Sequence, residues 1–262
     1  MSQFCPLFSS SSGNCTYISC SDGSILIDAG VSAKRICEAL NGIGADISSV
    51  KAVFVTHEHS DHISGLRVLA SRYKIPVFTS AGTLSYLEEK CMANSSYRAY
   101  AIGSDGIEIA GMHVRPICTS HDTRESVCYT VTLPHGRKAA VVTDLGCMNS
   151  QILDSIRGCN LVMLESNHDV RMLQSGKYPY YLKRRILSDR GHLSNDACAS
   201  ALTELIQTGS TQFILGHLSR ENNIPQLAFE TSFAALSETG AELGKDYLLK
   251  VAAPSGNQVV RL

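Results

Sequence analysis

Three histidines and an aspartate fall within six residues, His57-Glu58-His59-Ser60-Asp61-His62, directly after the apolar run Ala52-Val53-Phe54-Val55. Side chains of an extended chain alternate between faces, so strand geometry would set His57, His59 and Asp61 on one side. His62, entering the turn before a helical pattern, would face the same point from another direction. Imidazoles and a carboxylate gathered out of water are poorly satisfied without a cation among them. Nitrogen and oxygen donors of this kind suit Zn²⁺, Mn²⁺ or Fe²⁺. The bland reading set against this one is a histidine-rich surface loop.

The rest of the chain supplies a scaffold. Short β-type runs fill the first half, around Phe4–Phe8, Thr16–Ile18, Ser24–Asp28, Val53–Val55, Val77–Phe78, Ile107–Ile109 and His113–Cys118. Two more, Cys128–Leu133 and Lys138–Val142, flank Pro134-His135-Gly136, which reads as a hairpin turn. Helical patterns intervene at Ser64–Tyr73, Ala81–Lys90 and Asn149–Ile156; in the first, Leu66, Leu69, Ala70 and Tyr73 share a face. After Leu161–Leu164 helix dominates, at Tyr180–Ser188, Asn195–Thr208 and Pro225–Leu236, with Phe213–Leu215, Tyr247–Val251 and Gln258–Val259 as the remaining strand candidates. Ser194 reads as an N-cap and Gly209 as a stop for the Asn195 helix. No repeat, linker or charge block interrupts the pattern, so one α/β domain with layered sheets is expected over 1–262.

Charge and cysteine usage narrow the setting. With 23 basic and 24 acidic side chains, no global field draws the chain to nucleic acid or to a membrane, and a local patch must carry any such affinity. Ten cysteines include no Cys-x-x-Cys pair, and the start of the chain lacks the basic and apolar regions of a secretion signal. No apolar stretch approaches the ~20 residues that span a bilayer. Reduced thiols in a cytoplasmic protein with no membrane partner are therefore expected.

Followed along the chain, the histidine motif resembles the metal-binding signature of the metallo-β-lactamase fold. Ser24-Ile25-Leu26-Ile27-Asp28-Ala29-Gly30 resembles that family's early strand and turn, and Thr119-Ser120-His121-Asp122 its third motif. Val142-Thr143-Asp144-Leu145-Gly146 is similar to the fourth motif, and Leu215-Gly216-His217-Leu218-Ser219-Arg220 to the last. Ser11-Ser12-Gly13-Asn14, Glu165-Ser166-Asn167-His168-Asp169 and Gly191-His192-Leu193-Ser194-Asn195 narrow the likeness to the YycJ/WalJ-like subfamily, relatives of ribonuclease Z and ribonuclease J to which exonuclease activity is attributed. The Ser9-Ser10 start of the serine loop departs from the family pattern.

The resemblance implies an α/β (α+β) fold, a four-layer αββα sandwich. It implies two divalent ions (Zn or Mn, with Fe the third option) sharing a hydroxide about 3.5–4 Å between metals. His57, His59 and His121 would hold the first ion, and Asp61, His62 and His217 the second, with Asp144 bridging. Aspartate at 144 and histidine at 62 speak against an antibiotic-hydrolysing lactamase, and a fully filled ligand set speaks against a fold kept only for binding. Asp28, at the end of an apolar strand, is expected to pair and steady the ligand loop.

Beyond the ligands, His192 resembles the non-ligand histidine that transfers a proton in ribonuclease Z-like enzymes. Glu165 would orient it or a ligand. Ser11, Ser12, Asn14 and Asn167 are expected to face phosphate. Between Arg171 and Arg190 six basic residues meet one acid, with Tyr178, Tyr180 and Tyr181 interleaved. Tyr178, Lys183 and Arg184 are its substrate candidates, since aromatic and basic side chains together suit unpaired bases. The activity implied is a 5′-to-3′ exonuclease on single-stranded DNA or RNA with a free 5′ end, in a setting such as DNA repair. Asp61, His192 and Glu165 would carry its chemistry. Two alternatives stand: a thioester or lactone hydrolase of the glyoxalase II kind, for which no added helical substrate domain is seen, and a low-turnover metal-binding interaction protein.

Overall fold

The structure, a computed structural model, describes residues 2–93 and 95–262. The chain packs as two compact units interleaved along the sequence. The first holds the residues up to Ile117, Thr123–Arg137 and Ala253–Leu262; the second holds Cys118–Asp122 and Lys138–Ala252.

In the first unit, β1 (Gln3–Phe8), β2 (Cys15–Cys20), β3 (Gly23–Ile27), β4 (Val50–Phe54), β5 (Val77–Thr79), β6 (Ala99–Ala101) and the terminal β14 (Val260–Arg261) make one mixed sheet. Its order is β14-β1-β2-β3-β4-β5-β6, antiparallel up to β3 and parallel from β3 to β6. Strands of a sheet covered on both faces read as apolar runs rather than alternating ones, and Ile25–Ile27 and Ala52–Phe54 are buried throughout. One face packs Leu26, Val53 and Val55 with Ile36 and Leu40 of α1 (Ala33–Gly42). Leu66 and Leu69, from the helix Leu66–Tyr73, join that cluster. On the other face Phe54 and Phe78 stack with ring centroids 5.4 Å apart, and Tyr129 meets Phe54 edge-on at 5.5 Å.

The unit also contains β7 (Ile107–Ile109) and β8 (Met112–Cys118), an antiparallel hairpin, and β9 (Val127–Thr132). The turn expected at Pro134–Gly136 is present, closed by Leu133 N–H donating to Arg137 O at 2.8 Å. Two of the boundaries that differ from the sequence reading have a cause visible in the packing. The helix expected from Ser64 begins at Leu66 instead (α3, Leu66–Tyr73), separated from a preceding helical turn α2 (Ser60–Ile63) by Ser64 and Gly65, whose Cβ would lie 2.0 Å from Val31 O. The last strand is Val260–Arg261 rather than Gln258–Val259, set by pairing with Gln3 and Phe4. α4 (Ala81–Glu89) follows β5, capped by Ser80 Oγ accepting from Thr83 N–H.

The second unit is a parallel sheet with helices. β10 (Lys138–Val142), β11 (Leu161–Glu165), β12 (Gln212–Gly216) and β13 (Leu248–Val251) run side by side, all parallel. α5 (Ser150–Ile156), α6 (Val170–Ser175), α7 (Tyr180–Ile186), α8 (Asn195–Gln207) and α9 (Pro225–Glu238) connect and flank them. Side-chain caps start three of these helices: Asn149 for α5, Asp169 for α6 and Ser194 for α8. Pro225 opens α9, where its missing N–H costs nothing.

Candidate metal centre

In open α/β sheets functional groups gather beyond the carboxyl ends of parallel strands. Both units follow that rule. In the first, Asp28 follows β3 and Thr56-His57 follow the adjacent β4. In the second, Asp144 follows β10, Glu165 ends β11 and His217 follows β12. Asp28, Asp144 and His217 take the left-handed conformation, with φ of 65°, 60° and 55°. Backbone strain of this kind persists where surrounding bonds over-determine it, and it clusters at functional sites.

The strand alternation expected for His57, His59 and Asp61 is not how they are arranged. β4 ends at Phe54, residues 55–57 are irregular, and Asp61 and His62 lie in the helical turn α2. Convergence comes from hydrogen bonds instead. The buried Asp28 carboxylate accepts from Thr56 N–H at 2.8 Å and Thr56 Oγ1 at 3.0 and 3.1 Å. Its Oδ2 also takes the Nδ1 proton of His62 at 2.8 Å. The Thr56 hydroxyl lies 3.0 Å from Nδ1 of His57. Having donated to Asp28, that hydroxyl accepts from His57, so both rings carry their proton on Nδ1 and turn an Nε2 lone pair outward. Ring centroids of His57 stand 4.1 Å from His62 and 4.7 Å from His59. Nε2 of His62 and Oδ2 of Asp61, two acceptors, face each other at 3.3 Å.

Backbone packing holds this loop rigid. Asn14 N–H donates to Asp61 O at 2.8 Å, and Ala29 N–H to His62 O at 2.8 Å. Only glycine fits at position 30, where a Cβ would sit 1.6 Å from Asp61 O and 2.6 Å from Asn14 N. Glu58, buried between the two histidines, accepts from Thr83 Oγ1 at 3.0 Å and Arg124 N–H at 2.7 Å.

The second unit repeats the logic. Nδ1 of His121 donates to Gly191 O at 2.9 Å, and Nδ1 of His217 donates to Glu165 Oε1 at 2.9 Å. The same carboxylate oxygen receives Nδ1 of His192 at 2.8 Å. Burial, the largest influence on Glu165, pushes its carboxyl pKa up. The charge and hydrogen bonds of His192 and His217 together outweigh it and hold the group at about 2. Burial lowers the pKa of His121 against the opposing pull of Asp144, which favours the neutral ring a metal needs. Ligand atoms of Asp144, Glu165, His192 and His217 lie within 4.8 Å of one another. A closed amide network braces their loops. Asn195 and Asn223 exchange side-chain hydrogen bonds at 3.0 and 2.9 Å, Asn223 Nδ2 donates to Ser166 O and Asn167 O, and Asn167 Nδ2 donates to His217 O at 2.9 Å.

The residues expected to face phosphate divide. Ser11 and Ser12 are exposed. Asn14 is buried, with Nδ2 directed at Asp61 Oδ2 (3.2 Å) and His62 Nε2 (3.1 Å), so it braces the loop. Asn167 is buried too, held on the His217 carbonyl. On α7 and the loop before it, Tyr178 and Lys183 are half-buried, Lys183 donating to Gln174 O at 2.7 Å. Arg184 is exposed and lies 5.9 Å from the Tyr180 ring centroid. Tyr180 and Tyr181, each 75% exposed, are the freest aromatics of the stretch. Arg185 pairs with Asp122, and Arg190 donates to His121 O. Thr56, Glu58, Asn195 and Asn223 were given no role in the sequence reading. The one available signal was their position, beside a motif histidine or at a helix start.

Histidines whose Nδ1 protons are fixed by carboxylates, a hydroxyl or a carbonyl, which makes Nε2 the ligand atom, fit divalent metal ions. Clusters of histidine with aspartate or glutamate in each unit suit the metal site of a metal-dependent hydrolase. The Beta-lactamase superfamily domain matches residues 24–218. Exodeoxyribonuclease YycJ of Bacillus anthracis is 35% identical over 93% of this chain and 92% of its own length. Exodeoxyribonuclease WalJ of Streptococcus pneumoniae is 32% identical over 95% and 93%. The crystal structure of the metallo-beta-lactamase fold protein YhfI from Bacillus subtilis superposes with a TM-score of 0.75 at 14% identity, over 99% of this chain and 98% of that one. Human tRNase Z, short form, gives 0.65 at 13% identity over 99% and 98%. The chain belongs to the beta-lactamase superfamily and has its fold, two mixed β-sheets flanked by helices.

Proposed function

We propose that the protein is a two-metal exodeoxyribonuclease that removes nucleotides from the 5′ end of single-stranded DNA. In this reading His57, His59 and His121 would hold one ion and Asp61, His62 and His217 the other, with Asp144 serving both. Residues 1–262 are read here as a single catalytic domain. Bound divalent ions, zinc, manganese or iron, supply Lewis acidity that brings a water's pKa towards neutrality and offsets charge developing at phosphorus.

The observation that carries the reading is the shared carboxylate oxygen of Glu165, which takes Nδ1 of both His217 and His192. That contact leaves Nε2 as the ligand atom of His217 and fixes the orientation of the His192 ring. His192, whose side chain is 19% exposed, then delivers a proton from Nε2 to the departing 3′-oxygen. Ser11 and Ser12 stand on an exposed loop suited to phosphate, while Tyr180, Tyr181 and Arg184 offer an exposed surface for unpaired bases. The two relatives named exodeoxyribonucleases, which match over more than nine-tenths of their lengths, support the choice of DNA. Ten cysteines with no Cys-x-x-Cys pair among them support a cytoplasmic setting.

The test compares substrate classes. Protein loaded with Mn²⁺ or Zn²⁺ is expected to cleave a phosphodiester such as bis-p-nitrophenyl phosphate and DNA oligonucleotides, leaving a glutathione thioester and a lactone intact. Faster turnover of the thioester or lactone would overturn the nuclease reading.

A further inference from the structure

The first unit contains a cavity of about 850 Å³ on the edge strand β6, apart from the histidine loop. Phe54, Phe78 and Tyr100 occupy registered positions on β4, β5 and β6, so their rings form a ladder across the sheet. Centroids step by 5.4 and 5.3 Å, and each pair is tilted by 23°. Phe54 is fully buried and Phe78 is 7% exposed, whereas Tyr100 is 40% exposed and lines the cavity with Phe78. The ladder therefore stops at a ring with one face covered by Phe78 and the sheet ended beside it.

Polar groups surround this open rung with one sign of charge. Lys74 and the exposed Arg98 line the cavity together with Ser95 and Ser96. Lys74 is held in place by donating from Nζ to Ser96 O at 3.1 Å. Among the described residues no acidic side chain lines the space. A planar ring at the next step of the ladder would stack on Tyr100, and an anionic group attached to it would meet Lys74 and Arg98. Aromatic side chains accept any base in this way, while basic ones hold the phosphate. The volume falls within the range of ligand pockets.

We propose that this cavity is a nucleotide-binding site, with the base stacked on Tyr100 and the phosphate between Lys74 and Arg98. The occupant is a nucleotide unit, either a free nucleoside monophosphate or one nucleotide of a strand. Only the second source rests on the nuclease reading.

The test uses the full chain with divalent ions removed by chelator, so that the histidine loop contributes no metal-borne affinity. Deoxyadenosine monophosphate, deoxyadenosine, an oligo-deoxyadenylate and inorganic phosphate are titrated by calorimetry onto wild type, Tyr100→Phe, Tyr100→Ala and Arg98→Ala. The site predicts binding of the monophosphate well above that of inorganic phosphate. Tyr100→Phe should keep it within about twofold, and Tyr100→Ala should lose about 5- to 100-fold, as loss of one base stack does. Arg98→Ala should weaken the monophosphate more than deoxyadenosine. Tighter binding of the oligonucleotide, lost in Tyr100→Ala, identifies the strand as source; equal binding identifies the free nucleotide. Equal affinity of wild type and Tyr100→Ala for the monophosphate, with both folded by circular dichroism, overturns the site. The nuclease reading is judged separately, by cleavage.

Discussion

Replacing Asp28 with asparagine isolates the contribution of a residue outside the candidate ligand set. Asparagine tolerates the left-handed φ of 65° about as well as aspartate, so the backbone is not the perturbation. What changes is the charge and one oxygen. The carboxylate now serves Thr56 N–H, Thr56 Oγ1 and Nδ1 of His62. An amide can keep the Thr56 contacts, but it then points an NH₂ at the Nδ1 proton of His62, donor against donor. The loss is one charge-assisted hydrogen bond, about 1.5–3 kcal/mol. At about 1.4 kcal/mol per tenfold, that corresponds to a drop in metal affinity of about 10- to 100-fold, the range typical of residues that orient ligands. Competition with a chromophoric chelator, followed for Zn²⁺ and Mn²⁺, measures it directly. Affinity unchanged within twofold, in a variant that melts like wild type, would refute the claim that Asp28 sets the His62 tautomer.

Three further outcomes follow from the same geometry. His192→Ala should slow cleavage by about 10²- to 10⁴-fold while metal content by elemental analysis stays at the wild-type level; unaltered turnover would remove His192 from proton transfer. Gly30→Ala pushes a Cβ to 1.6 Å from Asp61 O, and backbone adjustment of that kind costs about 1–3 kcal/mol. Urea denaturation should report that loss together with weaker metal binding, and a neutral result would mean the loop is not tightly held. His168, buried with both ring nitrogens lacking hydrogen-bond partners among the described residues, has its pKa lowered from 6.5 to about 4, chiefly by burial. Because the folded form binds the proton less readily than the unfolded one, stability is lost as pH falls from 6.5 through 4, by up to about 3 kcal/mol. Metal-free His168→Leu should flatten that limb in urea titrations, and an unchanged pH slope would contradict it.

Much of this arrangement was legible in the chain. Periodicity placed β3, β4 and β10 to β12, because buried parallel strands are short apolar runs bounded by turn residues. It missed α1, whose apolar face rests on few residues, Ile36 and Leu40 among them, and β6, which is three residues long and partly exposed. The candidate ligands were visible as residue types at telling spacings. Their tautomers were not, since these depend on Thr56, Asp28 and Glu165 meeting rings distant in sequence. Asn14 and Asn167 illustrate the same limit. Polar residues beside a motif read as phosphate contacts, yet tertiary packing directs both amides into the loops that carry Asp61, His62 and His217. The left-handed conformation of Asp144 and His217 likewise has no signature in the residue types alone.

The central claim is most directly tested by digesting single-stranded DNA labelled at its 3′ end, carrying a 5′-phosphate or a 5′-hydroxyl, with Mn²⁺-loaded protein beside Asp61→Ala. Stepwise shortening of the labelled strand from its 5′ end, abolished by chelator and absent in Asp61→Ala, is the expected result. Intact DNA under metal-loaded protein, or shortening that persists in Asp61→Ala, would contradict it.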